Sequence, residues 1–366
     1  MDLFDTLGEK KLFIFDLDGT ATDTEPFHYE AYRQTVEALC PGHTVTKEEF
    51  LQNYVGHPET EIYSLLKKNK NVAFDDGEFF RKRTENLFAR VKKLGLRTAP
   101  FYRQLEILYP NAEFIALTSQ RESVLERFRS LVDYGKMKRF ISVADKPYSK
   151  ADVLKNSKKL LGYGARECVL FEDFAPTLRA AMACGIYAVG VMHEFNKLSS
   201  VDCNALVDIH TPIGEGRFFP TDDLCDGEIR LTLIQTKPAD PARHYLPAYK
   251  FNICKAETDT PMGVCDLRVG HNDNTYYGGN IGYTVFEEYR GHHYAAKACR
   301  LLLRLAKKHG MEHLTITCDP DNAPSYKTCE ALGGRLLETA ALPTYNDMYA
   351  LGMRQVRVYS FDLLSD

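Results

Sequence analysis

Short apolar runs alternate with amphipathic stretches through the first part of the chain. Leu12–Phe15, Glu113–Leu117, Ile141–Val143, Cys168–Phe171, Ile186–Val191 and Ala205–Val207 each read as a short buried strand. Between the first two, Tyr29, Tyr32, Val36 and Leu39 recur at three- and four-residue intervals, the period of a helix with one apolar face. Further helices are predicted at Glu48–Val55, Glu59–Lys68 and Gly77–Lys93, broken by Gly56, Pro58 and Asp75-Asp76-Gly77. They form a helical insertion spanning about residues 22 to 100. The Ala180–Cys184 helix stops at Gly185 in the C′ position. Strands alternating with helices imply an α/β fold with a parallel, doubly wound sheet.

The pattern changes after residue 210. Residues 211 to 227 carry Pro, Gly and acids with neither helical nor strand period, and 214–226 reads as a linker. Ile229–Ile234, Tyr249–Cys254, Gly263–Val269 and Asn280–Val285 then follow as β-like runs separated by turn residues. A long helix is predicted at Ala296–His309, with Cys299, Leu302, Leu305 and Ala306 as its stripe and Gly310 as its stop. Leu314–Cys318 reads as a strand, Ala323–Leu332 as a helix and Val356–Leu363 as a last strand.

A chain of 366 residues exceeds one ordinary core, so two or three domains are expected. Its 44% hydrophobic and 26% charged content is that of a globular protein. A net charge of −4 supplies no field for nucleic acid or an anionic membrane, and the Lys67, Lys68, Lys70 run is a solvated helix end. No apolar stretch is long enough to cross a bilayer, and no signal-peptide pattern opens the chain. The ten cysteines form no CxxC pair, which argues against a zinc site or disulfide framework and for a cytoplasmic location.

The candidate chemistry of the first half sits where strands end. Asp16 and Asp18, at i and i+2 after the first strand, share a face if the backbone stays extended. The second strand stops at Thr118-Ser119, where a hydroxyl either caps a helix or helps hold an anion. Lys146 and Lys150 follow the third, and Glu172-Asp173 ends the fourth. Open α/β sheets bind ligands at this edge. In this order and spacing, the FDLDGTATDTEPFHYEAYRQ stretch and the later FEDFAPTLRAAMACGIYAVGV resemble the haloacid dehalogenase-like (HAD) hydrolases of the subgroup with a helical cap.

That resemblance implies a Rossmann-like core over residues 1–213, its cap at about 22–100, and phosphoryl transfer. Asp16 would be the nucleophile that forms an aspartyl-phosphate, and Asp18 the general acid and base. An acid at position 18 fits the phosphatase and phosphomutase branches. Thr118 and a lysine would bind phosphoryl oxygens, Lys150 being favoured over Lys146 because its spacing to Leu161-Gly162 fits. Asp16, the carbonyl of Asp18, and Asp173 would hold Mg²⁺, with Glu172 behind them or as a further ligand. Phe174 replaces the subgroup's usual Ser, and His57 in Val55-Gly56-His57-Pro58 falls at a substrate-contacting loop or on a plain surface turn.

In the second half, Arg290-Gly291-His292-His293-Tyr294-Ala295 precedes the long helix and resembles the acetyl-CoA turn of the GNAT acetyltransferases. This implies an α+β domain with a mixed, mostly antiparallel sheet over residues 227–366. The amides of 290–295 would cradle a pyrophosphate at the helix N-terminus. His293 stands where the family has its central glycine, so those amides serve provided its φ stays negative. Asn322 and Ser325, in Asp321-Asn322-Ala323-Pro324-Ser325 ahead of Gly333-Gly334, match a second cofactor motif. The family's frequent catalytic Tyr falls at Cys329, with Tyr326 one helical turn earlier; Glu287, Glu288 or a water are the base candidates. Tyr276–Gly279 either borders the acceptor site or is an aromatic turn.

Together these resemblances imply a bifunctional enzyme. It would be a Mg²⁺-dependent phosphatase joined to an acetyl-CoA-dependent acetyltransferase, acting on a small phosphorylated metabolite and a small amine acceptor. The alternatives are a phosphomutase in the first half, or one half serving as a ligand sensor or docking module.

Overall fold

The protein is described by a computed structural model over residues 3–55, 59–214, 216–344 and 346–364. The chain forms two compact units, Met1–Thr211 and Pro212–Asp366.

In the first unit, six strands make one parallel sheet: β1 (Leu12–Phe15), β2 (Glu113–Thr118), β3 (Arg139–Ser142), β4 (Cys168–Glu172), β5 (Tyr187–Met192) and β6 (Ala205–Asp208). The spatial order is β3-β2-β1-β4-β5-β6. Every residue of β1 is buried, because helices cover both faces of a parallel sheet. Alternate residues divide between those faces. Phe15 stacks on Phe171 at 4.8 Å and on Phe114 at 5.6 Å, while Leu12, Ile14, Ile115, Leu117 and Leu170 build the opposite core. Each buried side chain of this size contributes about 1.5–3 kcal/mol by leaving water. The strand order reverses at β1, which has β2 on one side and β4 on the other, so its carboxyl end is the ligand-binding crevice of this topology.

The helical insertion leaves and rejoins the core at one point. Thr22 bridges Thr98 in antiparallel fashion, and the Ala99 amide donates to the Ala21 carbonyl at 2.8 Å. Between them run helices Glu25–Leu39, Lys47–Asn53, Glu59–Lys70 and Asp76–Leu94. They enclose an apolar cluster of their own that includes Tyr32, Val36, Phe50, Tyr63, Leu66 and Phe79. One member comes from outside the insertion: Phe195, in the loop after β5. His57 lies outside the described residues.

In the second unit, β7 (Ile229–Lys237), β8 (Ala248–Lys255), β9 (Pro261–Arg268) and β10 (Ile281–Val285) form an antiparallel sheet in the order β10-β9-β8-β7. A second antiparallel sheet has the order β11-β13-β12, from β11 (His313–Cys318), β12 (Arg335–Ala341) and β13 (Gln355–Asp362). Asn280 joins the two: its amide donates to the Thr315 carbonyl at 2.6 Å, and its Oδ1 accepts from the Thr315 amide at 2.9 Å. Helix Tyr294–Lys308 lays Cys299, Leu302, Leu305 and Ala306 into a core with Phe251, Ile253 and Ile316.

The sequence did not reveal β12, most of whose residues are exposed and which carries no alternation. Tyr276–Gly279, read as a possible aromatic turn, lies mostly within a helix, Asp273–Gly278, capped by Asn272 Oδ1 on the Thr275 amide at 3.0 Å. The 214–226 stretch, read as a linker, belongs to the second unit. Leu224 is in its core, the Phe219 amide donates to the Tyr249 hydroxyl at 2.6 Å, and Lys308 Nζ reaches Asp223 Oδ1 at 2.6 Å. Its irregular composition reflects docking through a few side chains rather than looseness.

Candidate active sites

At the end of β1 the backbone turns sharply, with the Ala21 amide returning to the Asp16 carbonyl at 3.2 Å. Gly19 makes the turn possible. Its φ is +65°, and a Cβ there would stand 2.6 Å from Asp173 Oδ2 and 2.8 Å from His193 Nε2. The turn brings together side chains from four strand ends.

Asp16 is 8% exposed. Its Oδ1 accepts from the Leu17 amide at 2.8 Å, and its Oδ2 lies 2.7 Å from Lys150 Nζ. Lys150, first in a helix whose capping box is Ser149 with Asp152, also reaches Glu172 Oε2 at 2.9 Å. Lys146 is exposed and does not enter this network. Burial works against the Lys150 cation, but Asp16 and Glu172 outweigh it and raise its pKa. Burial also pushes Asp16 up against the pull of Lys150, and pushes Glu172 well above the usual carboxylate range with help from the Asp16 charge.

Asp18 has a separate set of partners. Thr24 Oγ1 donates to its Oδ1 at 2.7 Å, His28 Nε2 lies 3.1 Å from the same oxygen, and Gln120 Nε2 donates to Oδ2 at 2.7 Å. Burial alone would raise its pKa, yet His28, Thr24 and Gln120 together hold it down to about 2. Thr118 is buried at the end of β2, where its Oγ1 accepts from the Gln120 amide at 3.1 Å and fixes the loop that carries Gln120. It caps no helix; the next one begins at Glu122.

Asp173 completes the group. Carboxylate oxygens of Asp16, Glu172 and Asp173 lie within 4.8 Å of one another. An all-oxygen set of this kind suits a hard divalent cation, which would offset the burial and the neighbouring carboxylate charge that raise Asp16 and Glu172. The donor set therefore fits Mg²⁺, with the Glu172 carboxylate inside the group and the Asp18 carboxylate turned away to Thr24, His28 and Gln120.

Sequence reasoning missed several neighbours here. His28 and Arg83 come from the insertion; Arg83 is ion-paired with Glu59 and its Nη1 lies 3.5 Å from His28 Nδ1. Glu25 opens the first helix of the insertion, and burial and the surrounding Asp173, Asp18, Asp23 and Asp16 charges push its pKa well up. His193, one residue past β5, lies where every parallel strand of this sheet points its carboxyl end. Position at a strand end was the one signal that could have found it.

The second candidate site is built of backbone. Arg290, Gly291, His292 and His293 are exposed, and Tyr294 and Ala295 begin the 15-residue helix. Gly291 has φ +87° and His293 φ +60°. The condition of a negative φ at His293 is not met; His293 instead takes the left-handed geometry that the glycine of the motif would favour, so the backbone of the turn follows the glycine form. His tolerates this region better than most side chains, at a cost of about 1–2 kcal/mol. Arg290 Nε donates to the Val285 carbonyl at 3.2 Å, and the His292 ring stacks on Tyr294 at 5.5 Å. Asn322 Oδ1 caps its helix by accepting from the Ser325 amide at 3.2 Å. Ser325 Oγ is 2.9 Å from the Tyr283 hydroxyl. Cys329 is fully buried in the core.

Comparison with known proteins agrees with both halves. Residues 13–191 match the haloacid dehalogenase-like hydrolase family, and residues 202–335 match the GNAT acetyltransferase domain. Over 198 residues, 50% of this chain, the sequence is 31% identical to the phosphorylated carbohydrates phosphatase of Thermotoga maritima, covering 86% of that protein. Phosphate-bound CbbY of Rhodobacter sphaeroides aligns over 54% of this chain and 93% of its own, at 16% identity and a TM-score of 0.47. A putative β-phosphoglucomutase of Thermotoga maritima aligns over 54% and 94%, at 25% identity and a TM-score of 0.45. The chain is thus an enzyme that belongs to the haloacid dehalogenase-like hydrolase family through its first unit and carries a GNAT acetyltransferase domain in its second.

Proposed function

We propose that the first unit hydrolyses phosphate monoesters of small metabolites with Asp16 as nucleophile. The observation that carries this reading is the Asp16 carboxylate held between the Leu17 amide and Lys150, at the switch point of the sheet. Attack by an Asp16 oxygen on phosphorus forms the aspartyl-phosphate, and the substrate oxygen departs with a proton. Asp18, ionised at neutral pH, is in the state that takes a proton from the attacking water in the second half-reaction. To protonate the leaving group it must first acquire a proton, and His28 at 3.1 Å is placed to relay one. Lys150 and Thr118 offset charge on the phosphoryl oxygens. Asp16, Asp173 and the Asp18 carbonyl would hold Mg²⁺, with Glu172 beside them; the ion supplies charge neutralisation at the phosphoryl group. The Thermotoga relative's name, a phosphatase of phosphorylated carbohydrates, supports a phosphosugar-like substrate.

For the second unit we propose acetyl transfer from acetyl-CoA to an amine, with the 290–295 turn receiving the pyrophosphate. Gly291→Glu tests that part by calorimetry: acetyl-CoA affinity should be lost, and unchanged affinity would remove the turn from the site. One metabolite bearing both an amine and a phosphate monoester, such as an amino-sugar phosphate, would serve both units. A panel of phosphorylated amines, with phosphate release and acetyl transfer followed together, tests this. Activity of each unit only on unrelated compounds would refute the shared substrate. An isomerised phosphosugar without free phosphate would make the first unit a mutase.

A further inference from the structure

Asp173 is gripped at both ends by residues 193–196, which open the connection after β5. The His193 ring is fully buried, its Nε2 lies 3.0 Å from Asp173 Oδ2, and its Nδ1 accepts from the Phe195 amide at 3.1 Å. A nitrogen that accepts carries no proton, so the ring is neutral and the proton sits on Nε2, which donates to Asp173. Asn196 Nδ2 donates to the Asp173 carbonyl at 3.2 Å and to the Val191 carbonyl at 2.8 Å, and Asn196 Oδ1 accepts from the His193 amide at 3.3 Å. Thr20 Oγ1 donates to the other carboxylate oxygen, Oδ1, at 3.4 Å. The carboxylate is therefore oriented through both oxygens.

The same loop is anchored in the helical insertion. The Phe195 side chain is 3% exposed within the insertion's apolar cluster, edge-on to Phe50 at 6.3 Å and 6.5 Å from Tyr29. Lys47 of the insertion reaches Glu194 Oε2 at 2.5 Å and sits 5.0 Å over the Phe195 ring. Phe195 is thus bound to the insertion by its side chain and to His193 by its amide.

We propose that His193 is a positioning residue that orients Asp173 toward a divalent cation, and that Phe195 makes this orientation depend on the seating of the helical insertion. The inference rests on the metal reading of the first site. Partners that orient a metal ligand typically change affinity 10- to 100-fold when removed.

The test is Mn²⁺ titration of the full chain by electron paramagnetic resonance, without substrate. His193→Ala should weaken binding about tenfold or more, while His193→Gln, whose amide can donate in place of Nε2–H, recovers most of it. Phe195→Ala should weaken binding about threefold or more, with Phe195→Leu intermediate, as for a partner acting one step removed. Circular dichroism establishes that each variant is folded. Nitrogen-15 spectra of the wild-type histidines supply a readout that needs no variant: His193 must be the neutral Nε2–H tautomer, and an Nδ1–H tautomer or a cation overturns the proposal. Equal Mn²⁺ affinity in folded His193→Ala overturns it as well, and equal affinity in folded Phe195→Ala overturns the link to the insertion. A wild-type chain that binds no Mn²⁺, or binds it as well after Asp173→Asn, overturns instead the metal reading beneath it.

Discussion

The two candidate sites are built in opposite ways. In the first unit the groups are side chains, largely buried and already paired with one another: Lys150 with Asp16 and Glu172, and Asp18 with His28. In the second, the turn at 290–293 is exposed and offers backbone, with a left-handed His293 leading into the helix. A buried charge network depends on every member, because removing one leaves the others uncompensated. A backbone turn depends on conformation and is indifferent to most side chains. Single substitutions should therefore damage the first site severely and the second mildly, unless they alter its backbone.

Asp16→Asn gives the largest expected effect. Phosphate release from p-nitrophenyl phosphate should fall by about 10⁴-fold or more, the scale of losing a nucleophile, with acetyl-CoA affinity unchanged. Substantial residual turnover would mean that another group attacks. Lys150→Met comes next. It strands the Asp16 and Glu172 carboxyls in a buried site and should cost about 3–5 kcal/mol, read as faster hydrogen exchange at the β1 and β4 amides. Unchanged protection would show that the network is not coupled to the sheet.

A pH effect separates the units on a smaller scale. His309 closes the long helix, 8% exposed, with its Nε2 2.8 Å from the Tyr249 hydroxyl. Burial, helped by Lys308, lowers its pKa from 6.5 to about 4. Between those values the unfolded chain binds the proton and the folded chain does not, so stability is present above pH 6.5 and is lost as pH falls toward 4. The loss should be on the order of 3 kcal/mol, seen in exchange of the Tyr294–Lys308 amides and absent in His309→Gln. The smallest effect is expected at the turn. His293→Gly should stabilise the second unit by about 1 kcal/mol and leave acetyl-CoA affinity equal or better. Weaker binding would assign the imidazole itself a role.

Most of the first unit was legible because each strand is a continuous apolar run and each chemical group stands at a strand's end. Asp16, Asp18, Thr118 and Asp173 stand at strand ends that the apolar runs mark, whereas their roles, and the choice of Lys150 over Lys146, came from the family resemblance. His28, Arg83 and Glu25 carry no such mark, since they reach the site from helices whose packing no local pattern encodes. Asp18 shows the limit in another way: its place was readable, whereas its depressed pKa follows from partners at 24, 28 and 120. In the second unit, the helix stripe at Cys299, Leu302 and Leu305 was clear. The exposed β12 lacked alternation, and the φ of His293 was hidden by a residue type that usually avoids it.

The bridge between Thr22 and Thr98 has a consequence for how the chain assembles. Leu12 pairs with Glu113, so the central contact of the parallel sheet closes a loop that contains the whole helical insertion. Loops of that length form slowly when they search as open chain. Helices with an apolar cluster of their own can instead condense locally and present Ala21 and Ala99 side by side, reducing the search to a short one. In that order of events the insertion acts as a template for the strands it interrupts. Substitutions in its core, Phe79 or Tyr63 for instance, should then slow the folding of a sheet that neither residue belongs to.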